Sequence, residues 1–349
     1  MTTSARVPSP AIQQRCDDKL IWDVLLTPFL LPCLTAAHET RLFDELARTP
    51  RTAEQLADQL GFDRRAVDAV SGTLVGLGLL KRVDGKLHLT SLAHTYLDKD
   101  SPYYVGPALE RVRDRPFTHS GLVDILRKAD PPERPLTDGW KHGKMGTDLA
   151  LRETAFHDAL SRHASEVVAE QGGFEGVSCL LDVGGGSGRY VVAIARRYPD
   201  MTFTLLDLPE VCGIARQYFD GVEAADVGPR VRILDGDMFS TQWPQGHDGV
   251  LISNVLHDWP DRTCEELCQR AFDALPSGGR IFVHEMLLDD AGDGPLAATA
   301  YSVWMLFATA GRQFRITEIT AMLEKTGFTN VAATPTLGYY TLLSANKPE

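Results

Sequence analysis

Residues Cys179-Leu-Leu-Asp-Val-Gly-Gly-Gly-Ser-Gly188 decide how this chain folds. A short apolar run ends in glycines at 184, 186 and 188. That pattern belongs to a strand whose carboxyl end turns tightly beneath a ligand and enters a helix. The dinucleotide spacing G-x-G-x-x-G fails at its last place, which is Arg189. Asp182 would also repel a pyrophosphate, whereas a ligand carrying an ammonium and a sulfonium suits it. Downstream, strands are predicted at 202–206, 231–234, 249–253 and 280–284. Helices are predicted at 190–198, 210–219, 262–274, 296–308 and 316–326. This alternation specifies an α/β fold with a mostly parallel sheet and helices on both faces. The last strands, near 331–334 and 339–344, have only Pro335–Gly338 between them and must be antiparallel. Asp207, Asp237 and His257 each follow a strand, so the fold gathers them with the glycine loop at the carboxyl edge.

Upstream the pattern is mostly helical. Thr52 caps a helix over 53–60 that stops at Gly61, and Asp63 caps another over 64–77. Strands at 79–83 and 86–90 flank Asp84-Gly85, a two-residue hairpin turn. Helix, turn, helix and hairpin make a winged helix. Prolines at 102, 107, 116, 131, 132 and 135 break up 101–150, Gly139–Gly146 reads as an exposed loop, and a helix resumes near Asp148. Three regions follow: an N-terminal helical and winged-helix region over 1–100, a helical linker over 101–175, and a ligand-binding region over 176–349.

The 349 residues carry 35 Lys and Arg against 47 Asp and Glu, a net charge of −12. Phosphate backbones and anionic membranes need clustered cations, so neither nucleic acid nor a membrane is an expected partner. The most apolar stretch, 21–37, is interrupted by Asp23, Pro28 and Pro32, and reads as too short and too broken to span a bilayer. Six scattered cysteines without a CxxC pair fit reduced thiols in the cytoplasm. Trp22, Leu25, Leu26, Phe29 and Leu30 exceed what a small helical region buries alone, which predicts a homodimer through the N-terminal third.

The segments LLDVGGGSG, LLDLPEV, GDMF, NVLHDWPD and HEMLL occur in that order. They resemble the successive motifs of the S-adenosylmethionine-dependent small-molecule O-methyltransferases, among them plant caffeate and flavonoid enzymes and bacterial antibiotic-tailoring enzymes. The resemblance extends to the winged helix, which matches the family's dimerisation domain. It implies S-adenosyl-L-methionine as cofactor, with Asp182, Gly184 and Gly186 at its methionine end. Asp207, with Leu208 beside it, would hold the ribose. Asp237 and Met238 would take the adenine, with Phe239 alongside, and Ser253 would approach the sulfonium. It also implies His257 as catalytic base with Glu285 orienting it. The family's second acid is replaced here by Gln313, in Gly311-Arg312-Gln313-Phe314.

Tyr301, Trp304, Met305 and Ala308 recur at helical spacing, as a core stripe or as the wall of an apolar acceptor pocket that the family builds from this helix. Arg312 is a candidate partner for a substrate carboxylate. Methyl transfer requires alignment of acceptor, methyl and sulfur, and a hydroxyl acceptor must lose its proton. The leading acceptor is a small molecule's hydroxyl or phenol. The closest rival is methylation of the carbon beside the carbonyl of a 2-oxo acid, with a divalent metal on His257, Glu285 and Gln313. A cofactor-sensing winged-helix regulator is a further alternative, but no basic recognition face supports it. His284 points to the opposite strand face from Glu285 and reads as structural.

Overall fold

The computed structural model describes residues 17–113, 118–127, 139–140 and 145–349. The chain forms two compact units, 1–101 and 102–349.

In the first unit, helix Ala53–Leu60 begins at a reciprocal cap. Thr52 Oγ1 accepts from Gln55 N at 3.2 Å, and Gln55 Oε1 accepts from Thr52 N at 3.1 Å. Gly61 ends the helix at φ 69°, a conformation glycine adopts without a Cβ penalty. Asp63 Oδ1 accepts from Ala66 N at 2.8 Å and starts helix Arg64–Gly76. Strands β1 (Leu80–Val83) and β2 (Lys86–Leu89) follow, and Asp84 and Gly85 both take the positive φ that such a hairpin turn requires. Leu56, Leu74 and Leu87 are fully buried here.

The stretch read as too broken to span a bilayer runs helically from Lys19 to Glu39. Its 21 residues are long and apolar enough, by length and composition, to cross a membrane. The prolines do not end the helical run, although the α-helix gives way to a 3₁₀ turn at Pro28. Pro28 lies in the 3₁₀ turn Thr27–Phe29 and Pro32 in the first turn of helix Leu30–Glu39, where a missing N–H breaks no helical bond. Leu20, Ile21, Trp22, Val24, Leu25, Leu26 and Phe29 are all exposed.

The second unit is built on a seven-stranded sheet: β3 (Cys179–Val183), β4 (Thr202–Asp207), β5 (Val231–Asp235), β6 (Gly249–Ser253), β7 (Arg280–Met286), β8 (Thr329–Pro335) and β9 (Tyr340–Asn346), in the order β5-β4-β3-β6-β7-β9-β8. The first five are parallel; β9 runs antiparallel to both β7 and β8. The chain winds outward from β3 to β5 and then returns to β6 on the other side of β3. This leaves a crevice at the carboxyl ends of β3 and β6, where such sheets bind ligands. One face of the sheet packs Val250, Ile252, Ile281 and Val283 with Leu267, Ala271 and Leu323. The other packs Leu205, Leu251 and Phe282 with Val191, Ile194 and Val168. Both faces are covered, which is why these strands are continuously apolar.

Candidate active site

At the crevice Gly184, Gly186 and Gly188 take φ of 69°, 57° and 85°. A Cβ on Gly184 would stand 2.9 Å from Val255 Cγ2. Asp207, at the end of β4, ties the loop down: Oδ2 accepts from Gly186 N at 2.8 Å and Oδ1 from Leu208 N at 2.7 Å. Helix Thr147–Gln171 holds it from the other side. Asp158 accepts from Ser187 Oγ at 2.8 Å and from Arg189 Nε at 2.9 Å, and pairs with Arg162.

The loop opens into a cavity of about 160 Å³. All nine residues that the sequence assigned to a cofactor line it: Asp182, Gly184, Gly186, Asp207, Leu208, Asp237, Met238, Phe239 and Ser253. Phe239 meets Trp259 edge-on at 4.6 Å, and Trp140 stands 6.2 Å from Trp259. Asp237 also serves its own turn, accepting from Phe239 N at 2.9 Å and Ser240 Oγ at 2.8 Å.

Asp182 is 1% exposed, and its Oδ2 finds no hydrogen-bond partner among the described residues. Burial and then the nearby Asp207 carboxylate push its pKa up to about 7. Burial raises Asp207 to about 6, against the two N–H groups that favour its charge. An orphaned buried carboxylate beside a second one is costly unless a cation joins them. The donor set therefore fits a cationic ligand.

Beyond this wall lies a second constellation. The carboxyl end of β7 extends through Glu285, past the strand end expected at 284. Glu285 Oε2 is 2.5 Å from His257 Nδ1, and Oε1 accepts from Val255 N and Leu256 N, both at 2.9 Å. Asp258 Oδ1 lies 3.7 Å from His257 Nε2. Burial works to lower the pKa of His257, but the Glu285 and Asp258 carboxylates outweigh it and raise it to about 9. Burial, opposed by His257 and reinforced by Glu285 and Glu153, raises Asp258 to about 7. His257 itself does not line the cavity, although its neighbours Val255, Asp258 and Trp259 do. Its ring faces that of Tyr301 at 5.4 Å.

His257 and Glu285 bond each other, and Glu285's other oxygen holds two backbone N–H groups, so with Gln313 they do not form an open metal site. No group of three His, Cys, Asp or Glu among the described residues is placed to hold a metal. Gln313 is buried, and neither amide atom of its side chain has a partner among the described residues. Arg312 lies outside the cavity, bound to Asp261 at 3.0 Å and Glu318 at 2.9 Å, and so is spent as a carboxylate receptor. Tyr301, Trp304, Met305 and Ala308, expected on an acceptor wall and not around the cofactor, lie outside this cavity. Tyr301 meets His257, Trp304 stands 5.8 Å from Phe156, and Met305 and Ala308 are buried in packing. The Gly139–Gly146 stretch is not simply an exposed loop: Trp140 and Met145 line the cavity, while 141–144 lie outside the described residues.

The sequence admits His157 at the cleft but favours packing for it, and the other lining residues of the same helix are not singled out there. Glu153, Thr154, His157, Asp158 and Ser161 all reach the cavity from helix Thr147–Gln171. Their spacing of i, i+1, i+4, i+5 and i+8 is a polar stripe on one helix face, a signal present in the sequence. Tyr190 and Arg189 line it from the first turn after the glycine loop.

A family profile described as "O-methyltransferase domain" matches residues 146–329. The chain is 32% identical to 3-hydroxy-5-methyl-1-naphthoate 3-O-methyltransferase of Streptomyces sahachiroi, over 85% of this chain and 86% of that enzyme. It is 38% identical to acetylserotonin O-methyltransferase of Bos taurus, over 90% and 93%. The solved structure of human N-acetylserotonin methyltransferase in complex with SAM superposes with a TM-score of 0.80 at 25% identity, over 97% of this chain and all of that one.

Proposed function

Because this chain belongs to the O-methyltransferase domain family, we propose that it transfers a methyl group from S-adenosylmethionine to a hydroxyl or phenol of a small molecule, with His257 as the base. It is an S-adenosylmethionine-dependent methyltransferase. The cofactor supplies a methyl carbon already activated by a sulfonium. The protein's share is to bind, align and deprotonate.

Asp182, with Gly184 and Gly186, receives the charged methionine end, which supplies the partner that Asp182 Oδ2 lacks. Asp207 offers its remaining lone pairs to the ribose, and Met238, Phe239 and Trp259 form an apolar wall for the adenine. The observation that carries the acceptor chemistry is the 2.5 Å contact between His257 Nδ1 and Glu285. With Nδ1–H donating to the carboxylate, neutral His257 keeps its lone pair on Nε2, oriented to take a hydroxyl proton. Burial works to lower its pKa, but the Glu285 and Asp258 carboxylates raise it to about 9, close to that of a phenol. Tyr301, from helix Leu296–Ala308, stands 5.4 Å from the base ring, and Trp304 packs edge-on against Tyr301; we assign this pair to the acceptor wall. The test is turnover of labelled S-adenosylmethionine with panels of phenols and 2-oxo acids, with and without a chelator. Chelator-resistant methylation of phenols is expected; chelator-sensitive methylation of 2-oxo acids alone would overturn the reading.

We further infer a cytoplasmic homodimer through the N-terminal unit. The exposed row Ile21, Trp22, Leu25, Leu26 and Phe29 supports it, because contiguous apolar surface of this kind marks a contact site.

A further inference from the structure

Gln313 has no part in the chemistry above. It is 1% exposed, yet neither Oε1 nor Nε2 has a hydrogen-bond partner among the described residues. Both atoms are orphaned, so the point holds whichever way the amide is turned. A primary amide brings two N–H donors and an acceptor oxygen. Burying them unmet is costly in the ligand-free protein, and a ligand that meets them recovers that cost.

Three elements place the residue beside the base. The first is the base's own turn. Ala310 N donates to the Asp258 carbonyl at 3.3 Å, and a Cβ on Gly311 would stand 2.1 Å from the His257 carbonyl oxygen, so the chain just before Gln313 runs directly against His257. The second is helix Leu296–Ala308. Gln313 N donates to Ser302 Oγ at 3.2 Å, and the preceding residue of that helix, Tyr301, holds its ring 5.4 Å from that of His257. The third is the exit of β7, shortly past Glu285, where Leu288 N donates to the Phe314 carbonyl at 2.8 Å. Arg312 and Phe314 share one face of this segment: the guanidinium lies 4.4 Å over the Phe314 ring, and that ring is buried in the core that also holds Trp259. Alternation turns the Gln313 amide to the other face. It does not line the cofactor cavity, so the polar group it awaits belongs to the methyl acceptor.

The neighbours define the chemistry of that group. Glu285 and Asp258 bring carboxylates to this side, and Arg312 is bound to Asp261 and Glu318. An anionic group on the acceptor would meet two like charges and no open cation among these residues. The carboxylates can only accept, whereas the amide also donates, so it suits an uncharged oxygen that only accepts. Resting on the reading of this chain as a hydroxyl methyltransferase, we propose that Gln313 is a specificity-determining residue: its buried amide donates to a neutral carbonyl oxygen of the acceptor, which makes the substrate class phenols that bear an uncharged carbonyl. A carboxylate at 313 would repel the same oxygen.

Initial rates of the full chain with labelled S-adenosylmethionine test this. The probes are the three hydroxyacetophenones, the three ethylphenols, which differ from them only in lacking the carbonyl oxygen, and the three hydroxybenzoates. In at least one positional set the wild type is expected to show a KM for the ketone about three- to tenfold below that for the ethylphenol, the size of one neutral hydrogen bond, and a KM for the benzoate above both. Gln313→Leu is expected to erase the preference by raising KM for the ketone, with that for the ethylphenol kept within about twofold. The same variant should not lower the Tm of the ligand-free protein, since it replaces an orphaned amide with an apolar group of similar size. An amide that serves only the fold gives the reverse, a lower Tm with equal losses on ketone and ethylphenol. That pattern, a wild type indifferent to the carbonyl, or failure of both Gln313→Leu and Gln313→Met to fold by circular dichroism would overturn the proposal and leave the methyltransferase reading standing. A wild type that methylates none of these hydroxyl compounds would overturn the functional reading itself, and the proposal with it.

Discussion

Glu285 controls His257 through a single oxygen, and its replacement by Gln makes a sharp test. The Gln oxygen can still accept from Val255 N and Leu256 N, so the local backbone should survive. Its NH₂ would then donate to His257 Nδ1, which moves the imidazole hydrogen to Nε2 and removes the lone pair the reaction needs. Turnover of Glu285→Gln should fall by roughly 10²–10⁴-fold with the thermal midpoint little changed. The wild-type kcat/KM should rise with pH through about 9, because His257 must lose its proton to act; a profile levelling off near 6.5 would count against a paired base. Asp182 gives a second pH dependence. A cationic cofactor needs it ionised, so cofactor affinity should weaken as pH falls below about 7, with proton release detectable by calorimetry in buffers of different ionisation enthalpy.

At the scale of elements, the glycine loop works because it is clamped from two sides. A Cβ on Gly188 would stand 2.6 Å from the Phe219 ring at a φ of 85°, so both sterics and backbone strain oppose a side chain there. Gly188→Ala should destabilise the protein by about 1–3 kcal/mol in a urea titration and weaken cofactor binding with it. Asp158→Ala removes the bonds to Ser187, Arg189 and Arg162 that join the long helix to the loop. Its main effect should be a higher Kd for the cofactor, measured by calorimetry, with turnover at saturating cofactor largely kept; loss of turnover alone would show that the clamp serves the acceptor side.

For the whole molecule, the buried acids and the base make the ligand-free fold sensitive to pH. Asp182 and Asp258 keep their protons to about pH 7 when folded and release them near 3.8 when unfolded, so the stability they contribute fades as pH approaches 7. His257 is raised, so its contribution is complete below about 6.5 and is lost as pH rises through about 9. His284 and His247 are depressed and act the opposite way, but only below 6.5, where their unfolded imidazoles protonate. The Tm of the cofactor-free protein should therefore fall between pH 6.5 and 9, and added S-adenosylmethionine should raise it most at the alkaline end. Light scattering at micromolar concentration should give twice the 38.4 kDa chain mass; a monomer would refute pairing through the Lys19–Glu39 face.

Local information was enough for much of this. The five parallel strands, the antiparallel pair at the end, the capped helices at 53 and 64 and the hairpin at Asp84-Gly85 each follow from a period, a cap or a turn residue only a few positions away. Seven of the nine cavity-lining residues assigned to the cofactor were legible because strand ends and glycine turns carry ligands at the carboxyl edge of such a sheet; Leu208 and Ser253 came from the family resemblance. What no local pattern could decide was which side chains meet across the sheet. The Glu285–His257 contact joins residues 28 apart, and the Tyr190–His284 contact residues 94 apart. Arg312 looks like an open cation until Asp261 and Glu318 are placed beside it. Helix Leu296–Ala308 has one apolar stripe in sequence, but only packing separates Tyr301 at the base from Met305 in the core. Side-chain periodicity specifies a face; the partner on that face is set by the topology that brings distant strands and helices together, and so are the pKa values, because burial and neighbouring charge exist only once the chain has closed.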